Sequence, residues 1–168
     1  MAFTFNGNTP GAIKYNGNDV KKLIYNGVTV WVHDITVVYT KACSGQKIET
    51  DPTFTLTATS TSPAYGSGTY SYTLKIPYQK TTSSAFNNQA YLTLTLKNSS
   101  GGTVKTWERR LLNATSGVDV RYVTLTWTSD TWLGEEDSYV LSIASSGYNG
   151  DLVRYPSGYN ITLTATNA

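Results

Sequence analysis

Hydrophobic residues alternate with polar ones, mostly threonine, in short runs along most of the chain. Phe54, Leu56 and Ala58 are separated by threonines, and Leu92 and Leu94 show the same spacing. A period of two residues places the apolar side chains on one face of a β-strand and the polar ones on the other. The pattern therefore predicts antiparallel sheets, each with one buried face and one wet face.

Eight runs of this kind follow residue 34, and turn-rich segments separate them. They cover residues 35–43, 53–59, 69–77, 90–97, 103–112, 121–128, 138–144 and 159–166. Taken as seven or eight strands, they predict a two-sheet β-sandwich of the immunoglobulin-like or jelly-roll kind. We expect residues 34–168 to form this sandwich domain and the whole chain to be all-β.

The first 33 residues have a different pattern, in which an aromatic residue precedes Asn-Gly three times at intervals of ten residues. The copies are Phe5-Asn6-Gly7, Tyr15-Asn16-Gly17 and Tyr25-Asn26-Gly27. Asn-Gly favours the type I′ turn of a two-residue β-hairpin, because both central residues need positive φ. Residues 3–33 are therefore predicted to form a four-stranded antiparallel meander.

Two-residue turns also predict which residues face each other in this meander. Around Asn16-Gly17 we expect the pairs Tyr15–Asn18, Lys14–Asp19 and Ile13–Val20. Around Asn26-Gly27 we expect Tyr25–Val28, Ile24–Thr29, Leu23–Val30, Lys22–Trp31 and Lys21–Val32. One face then collects Leu23, Tyr25, Val28, Val30 and Val32, and the other Ile13, Tyr15, Val20, Ile24 and Trp31.

Both faces of the predicted meander carry apolar residues, and a sheet of this size cannot bury both by itself. It must pack on the rest of the chain, on another copy or on a different protein. We interpret residues 1–33 as a docking or oligomerisation module, with packing on the sandwich as the alternative. The expected interface residues are Ile13, Tyr15, Val20, Leu23, Ile24, Tyr25, Val28, Val30 and Trp31.

Composition narrows the classes of partner. Charged residues make up 14% of the chain and the net charge is +2, which is too weak to indicate binding to nucleic acid or an anionic membrane. The single cysteine, Cys43, is expected to be buried, and no intrachain disulfide is possible. The opening "MAFTFNGN" shows no secretory signal, and no stretch is apolar enough for membrane insertion.

The residues show no pattern typical of catalysis. His33 is the only histidine and has no ligand-spaced cysteines or carboxylates and no nucleophile motif nearby. The acidic run Glu135, Glu136 and Asp137 is typical of an exposed turn before a strand. We therefore expect a protein that is not an enzyme, with no catalytic residues, no metal site and no cofactor.

Aromatic residues give a second functional hypothesis. The chain has thirteen tyrosines and four tryptophans, and the late segment "SSGYNGDLVRYPSGYN" carries Tyr148 and Tyr155 among glycine, asparagine and aspartate. Exposed aromatic rings beside polar groups can stack on sugars or on protein surfaces. Together with Trp132, these residues form a predicted surface-recognition region, and purely structural packing is the alternative.

The N-terminal segment "FTFNGNTPGAIKYNGNDVKKLIYNGVTVW" resembles the start of virion structural proteins from tailed bacteriophages and prophages of Gram-positive gut bacteria. The residues that carry the likeness are Tyr15-Asn16-Gly17, Val20, Lys22, Tyr25-Asn26-Gly27, Val30 and Trp31. A second stretch, "LTLKNSSGGTVKTW" with "LGEEDSYVLSI", resembles immunoglobulin-like domains of bacterial surface and phage proteins.

The first resemblance implies a component of the phage particle: a tail, baseplate, fibre or head-decoration protein, assembled in the host cytoplasm and residing in the virion. Its implied partners are other virion proteins or copies of itself. Adhesion to a host cell-surface glycan is the alternative function.

Overall fold

The computed structural model describes residues 13–15, 18–20, 22–32, 35–63, 69–81, 90–111, 119–146 and 153–167. Within these ranges the chain is built from β-strands and one short 3₁₀ helix, Ile48–Thr50. The all-β class predicted from the sequence is confirmed. The strands are β1 (Ile13–Tyr15), β2 (Asn18–Val20), β3 (Lys22–Tyr25), β4 (Val28–Val32), β5 (Thr36–Ala42), β6 (Thr53–Ala58), β7 (Tyr70–Lys80), β8 (Ala90–Lys97), β9 (Thr103–Leu111), β10 (Arg121–Ser129), β11 (Ser138–Ser146), β12 (Val153–Arg154) and β13 (Asn160–Thr166).

Strands β5 to β13 form one antiparallel sheet in the order β10-β7-β13-β5-β6-β11-β8-β9, and β12 pairs with β7. The four early strands pair with the late ones in reverse order: β5 with β13, β6 with β11, β7 with β10 and β8 with β9. This is one long antiparallel ribbon folded over itself, which is the topology of a jelly roll. Of the two predicted kinds of sandwich, the strand order therefore selects the jelly roll.

The sheet bends into two facing layers at the β5–β6 junction, where only Tyr39–Ala58 and Thr40–Thr57 are paired. The rings of Tyr39 on β5 and Tyr139 on β11 lie 5.0 Å apart across the interior. The first and last strands of the order also meet, because the ring centres of Trp107 on β9 and Trp127 on β10 are 5.0 Å apart. The two edge strands thus face each other along a line that we call the seam, without pairing to each other.

The core lies between the layers and follows the alternation in the sequence. Inward residues are buried and the intervening threonines and serines are more exposed. Each fully buried leucine stabilises the fold by about 1.5–3 kcal/mol. The most deeply buried aliphatic core residues are Ile48, Leu56, Leu74, Ile76, Leu92, Leu94, Leu96, Leu141, Val153, Ile161, Leu163 and Ala165.

All eight strands predicted after residue 34 are confirmed, with small differences at their ends. The largest is in β7, which continues past Pro77 to Lys80. Pairing between β7 and β13 ends at Lys75, so Pro77 lies beyond the part of β7 that needs partners on both sides. The two-residue strand β12 was not predicted, because two residues show no alternation.

The described N-terminal strands pair as two short antiparallel ladders, β1–β2 and β3–β4. Lys21, between β2 and β3, and the first predicted strand lie outside the described residues, so the single four-stranded meander stays a prediction. Among the described residues of these strands, none pairs on both sides. The type I′ turn is confirmed at Asn26 and Gly27, whose φ values are 49° and 77°. The predicted first hairpin and His33 lie outside the described residues.

The pairing of β1 with β2 agrees with the prediction, and that of β3 with β4 agrees only near the turn. Ile24 pairs with Thr29 as expected, but Leu23 pairs with Trp31 and Lys22 with Val32. A β-bulge at this point gives β4 one extra residue, Val30, and shifts the register by one. The predicted Leu23–Val30 and Lys22–Trp31 pairs are therefore wrong.

Candidate recognition cleft and the loop that shapes it

A cleft of about 380 Å³ opens at the seam between β9 and β10. Its walls come from the start of β9, the end of β10 and the loop of residues 130–137, which we call the β10–β11 loop. The volume is at the lower end of the range for small-ligand sites, about 300–1,000 Å³. Six lining residues define its chemistry: Asn98, Val104, Lys105, Trp127, Trp132 and Glu136.

Three buried tyrosine hydroxyls hold the β10–β11 loop. Tyr139 donates to the carbonyl oxygen of Leu133 at 2.8 Å. The Tyr39 hydroxyl lies 2.6 Å from the same oxygen and 2.9 Å from the carbonyl oxygen of Glu136. A carbonyl oxygen can accept two hydrogen bonds, so Leu133 accepts from both tyrosines, and the single proton of Tyr39 is shared between Leu133 and Glu136.

Tyr72, on β7 in the same layer as Tyr39, completes the set. Its hydroxyl donates to the carbonyl oxygen of Thr131 at 2.6 Å and accepts from the Leu133 amide at 3.3 Å. Tyr39 and Tyr72 belong to one layer and Tyr139 to the other, so the loop is tied to both. Buried polar groups require such partners, because an unpaired one costs about 1–3 kcal/mol.

Backbone bonds fix the other side of the loop. The Ser62 amide donates to the carbonyl oxygen of Gly134 at 2.8 Å, and the Ala58 amide donates to that of Asp137 at 3.0 Å. Five loop carbonyls, those of residues 131, 133, 134, 136 and 137, thus accept hydrogen bonds. The loop is held in one conformation although it has no regular secondary structure.

Trp132 forms one wall of the cleft in a fixed orientation. Its indole Nε1 donates to the carbonyl oxygen of Ser62 at 2.7 Å, and the centre of its ring lies 5.0 Å from the centre of the Tyr70 ring. The indole also lies directly against Gly134, where the Cβ of any larger residue would come within 2.1 Å of the ring. Only glycine leaves room for the indole at that position.

Trp127 supplies the second indole and is held by its neighbours on both sides. It stacks on Tyr72, with ring centres 5.0 Å apart and planes at 28°, and meets the edge of Trp107. Both cleft tryptophans are half-buried, so each is anchored while part of its ring remains accessible.

Polar groups flank the indoles. The Glu136 carboxylate accepts a hydrogen bond from the Ser99 hydroxyl in the turn between β8 and β9. In the same turn, Asn98 Oδ1 accepts from the Gly102 amide at 2.7 Å. Lys105 is exposed on β9. The cleft therefore offers a positioned carboxylate, an amide and an ammonium group beside two aromatic rings.

Burial keeps the core tyrosines neutral. Desolvation is the main cause that raises the pKa of Tyr72, to about 12. Desolvation also raises the pKa of Tyr39 and Tyr139, and the nearby charge of Glu136 adds to both shifts. Cys43 is buried as predicted, and desolvation raises the pKa of its thiol to about 11.

The three residues predicted for surface recognition do not form one accessible region among the described residues. Trp132 lines the cleft, while Tyr148 lies outside the described residues. Tyr155 is fully buried, with its ring 4.8 Å from that of Phe54, so its predicted surface position is wrong. Tyr155 follows directly after β12, and the pairing of β12 with β7 places it in the core.

The predicted interface residues of the N-terminal module are partly accessible. Ile24, Tyr25 and Val28 are 56%, 70% and 64% exposed around the β3–β4 turn. Leu23 is half-buried. Ile13, Tyr15, Val20, Val30 and Trp31 lie in β1, β2 and β4.

The acidic run before β11 is a loop, as predicted, with Glu135 and Asp137 exposed and Glu136 half-buried. In the described part of the chain, no three His, Cys, Asp or Glu side chains gather where they could hold a metal ion. The same residues include no apolar helix of the length that a bilayer crossing requires.

Nothing in the sequence distinguishes Trp127 and the three loop-holding tyrosines from ordinary inward-facing strand residues. Their alternating positions predict inward-facing residues, which is correct, but every strand tyrosine shows that signal. The phrase "DTWLGEED" between two strands was the one local indication that the chain makes a long turn here.

Replacing Tyr39 by phenylalanine tests the loop-holding role. We expect Tyr39→Phe to lower the free energy of unfolding by about 1–3 kcal/mol, because the carbonyl of Glu136 loses its donor. Tyr155→Phe is the matched control, since the buried Tyr155 hydroxyl has no hydrogen-bond partner among the described residues. Its removal should change stability by less than about 0.5 kcal/mol or stabilise the protein. Equal losses in urea unfolding would contradict this account.

Stability should decline in alkaline solution. The folded pKa values of Tyr39, Tyr72 and Tyr139 lie above the unfolded value of about 10. The unfolded chain therefore loses protons that the folded chain keeps, so the stabilisation is complete below about pH 10 and falls as the pH rises further. We expect a lower urea midpoint at about pH 11 than at pH 8, and tyrosinate absorbance from these residues only on unfolding. An unchanged midpoint would show that their hydroxyls are not buried.

Comparison with known proteins gives only distant similarities. No family model matches the chain, and neither does any curated protein. Among solved structures, it is similar to Eiger TNF from S. frugiperda, at 8% identity and a TM-score of 0.36, over 80% of this chain and 92% of that one. It is also similar to a chain of infectious bursal disease virus Gt strain, at 14% identity and a TM-score of 0.36, over 91% of this chain and 39% of that one. The fold assignment accordingly rests on the strand order and not on these similarities.

Proposed function

We propose that this chain is a non-enzymatic structural protein of a tailed-bacteriophage particle, a tail, baseplate, fibre or head-decoration component. Its N-terminal hairpins dock onto other virion proteins or onto copies of itself, and the jelly roll is displayed on the particle. The observation that carries the proposal is the exposed apolar group Ile24, Tyr25 and Val28, which we call the hairpin tip.

The hairpin tip is unusual because apolar residues surround a tight turn. A turn in contact with water normally carries polar residues, and here the exposed fractions of three neighbouring apolar side chains exceed one half. An isolated two-stranded hairpin is only marginally stable in water. Burial of this tip against a partner would stabilise the hairpin and exclude the apolar surface from water at the same time.

The junction between the hairpins and the jelly roll supports a defined mode of display. The Ile35 amide donates to Asn167 Oδ1 at 2.6 Å, and the Asn167 amide donates to the Ile35 carbonyl at 3.1 Å. The start of β5 is therefore tied to the end of β13. Only residues 33 and 34 separate this tie from β4, so a docked hairpin would keep the jelly roll close to the particle surface.

Adhesion to a host cell-surface glycan is the second candidate function. The position of Trp132 in the cleft supports it, although Tyr155 contributes nothing to an accessible surface. In this function the jelly roll would serve as the recognition part and the hairpins as the attachment part of one virion protein.

Substitution of the hairpin tip tests the docking proposal. The triple variant Ile24→Ser, Tyr25→Ser and Val28→Ser should lose self-association or incorporation into particles while the jelly roll stays folded, because only exposed residues change. Deletion of residues 1–33 should have the same effect. Light scattering on the purified protein and quantification of the chain in assembled particles give the two readouts.

The matched control replaces three exposed apolar residues of the jelly roll by serine: Val38, Tyr122 and Tyr159, which are 36%, 45% and 40% exposed. The control should assemble as the unmodified chain does. Normal assembly of the tip variant, or equal loss in both triple variants, would refute docking through the hairpin.

A further inference from the structure

We infer that the seam cleft is a binding site for a neutral sugar ring of a glycan, with Trp127 and Trp132 as stacking platforms and Glu136 as a hydroxyl acceptor. The inference rests on the second candidate function, glycan adhesion, and does not depend on docking by the hairpins. It moves the recognition site from the predicted Tyr148 and Tyr155 to residues on β9, β10 and the β10–β11 loop.

The aromatic walls meet the first requirement of sugar recognition, which is a flat apolar surface for the C–H face of the ring. Both indoles are half-buried and line the same cleft. Their orientations are set before any ligand arrives, Trp127 by stacking on Tyr72 and Trp132 by its bond to Ser62. Fixed side chains lose little conformational entropy on binding, which favours affinity for a small ligand.

The polar groups meet the second requirement, which is a set of donors and acceptors for hydroxyl groups. The Glu136 carboxylate has several acceptor positions, and the Ser99 hydroxyl occupies one of them. Lys105 and the Asn98 amide add donors on the β9 side. Hydroxyls that bridge such groups form charge-assisted hydrogen bonds, which are the stronger kind.

Charge determines which sugars fit. Glu135 and Glu136 line the cleft together with one cation, Lys105, so the local charge is negative. A sialylated, sulfated or phosphorylated sugar would meet carboxylates on entering, at a cost in binding free energy. A neutral hexose or N-acetylhexosamine has no such penalty, so neutral glycans are the inferred ligands.

The tyrosine hydroxyls give the cleft its preformed shape. Tyr39, Tyr72 and Tyr139 fix the loop that carries Trp132, Glu135 and Glu136. A carboxylate and an indole on an unsupported loop would have to be ordered at the moment of binding. The loop therefore presents both groups in a constant relation to Trp127 on the adjacent strand.

A glycan array with the full-length protein, containing neutral and anionic glycans, is the first step of the test. We expect binding to neutral glycans and none that requires a charged sugar. The best-bound oligosaccharide is then titrated while tryptophan fluorescence and calorimetry are recorded. Saturation with a Kd of about 1 mM or tighter and a change in indole emission are the expected results.

Two cleft variants and one control locate the site. Glu136→Gln keeps the shape of the side chain and should weaken binding about tenfold, the effect of losing a charge-assisted acceptor. Trp127→Ala should abolish the fluorescence change and the binding. Tyr122→Ala removes an exposed ring on the outer face of β10, beside Lys75, and should bind as the unmodified protein does.

Absence of binding to any glycan on the array would overturn the inference. So would sugar binding that survives Glu136→Gln and Trp127→Ala, or that is lost in Tyr122→Ala. If sugars fail to bind and the cleft variants instead reduce the mass measured by light scattering, the cleft is a protein interface. Loss of assembly in the hairpin-tip variant with normal sugar binding would leave this inference intact, so the two proposals fail separately.

Discussion

Burial of tyrosine hydroxyls between the two layers of the sheet is the constraint on which this structure depends. Tyr39, Tyr72 and Tyr139 bring large apolar rings into the core together with a hydroxyl group whose burial without a partner costs free energy. The chain supplies that partner with the carbonyl groups of the β10–β11 loop. The same bonds that satisfy the core therefore tie an irregular loop to both layers and prevent it from fraying.

The jelly-roll topology explains why this loop has a cleft beside it. A ribbon folded over itself leaves two edge strands, β9 and β10, which meet at the seam without a ladder between them. Trp107 and Trp127 fill the interior side of the seam. Where β10 ends and the β10–β11 loop begins, side chains do not fill the seam completely. The indoles of Trp127 and Trp132 line the cleft that remains. The position of the loop and of the cleft therefore follows from the jelly-roll strand order.

Much of this fold could be predicted from the sequence, because alternation is a local property. The runs around Leu56, Leu94 and Leu163 predicted strand positions and inward faces correctly. The strand order could not be predicted, since no local pattern specifies that β5 pairs with β13, and the choice between immunoglobulin-like and jelly-roll sandwiches stayed open. The Asn-Gly rule placed the turn at Asn26 and Gly27 correctly. The bulge at Val30, however, depends on the two paired strands together and shifts their register.

The candidate site was less predictable, for physical reasons that particular residues illustrate. Tyr155 follows a glycine-rich segment and looks exposed, yet β12 carries it into the core. Tyr39 looks like any strand tyrosine, and its hydroxyl partners are more than ninety residues away along the chain. Trp132 was recognised because it stands in a turn-like phrase, whereas Trp127 alternates like an ordinary core residue.

The central claim is that tyrosine hydroxyls hold the β10–β11 loop in one conformation. Residue-resolved hydrogen exchange by NMR tests it most directly, at the Leu133 amide, which donates to the Tyr72 hydroxyl. We predict that this amide exchanges as slowly as those of the neighbouring β11 in the unmodified protein. In Tyr72→Phe it should exchange much faster, while β11 stays protected. Rapid exchange of Leu133 in the unmodified protein, or protection that Tyr72→Phe leaves unchanged, would contradict the claim.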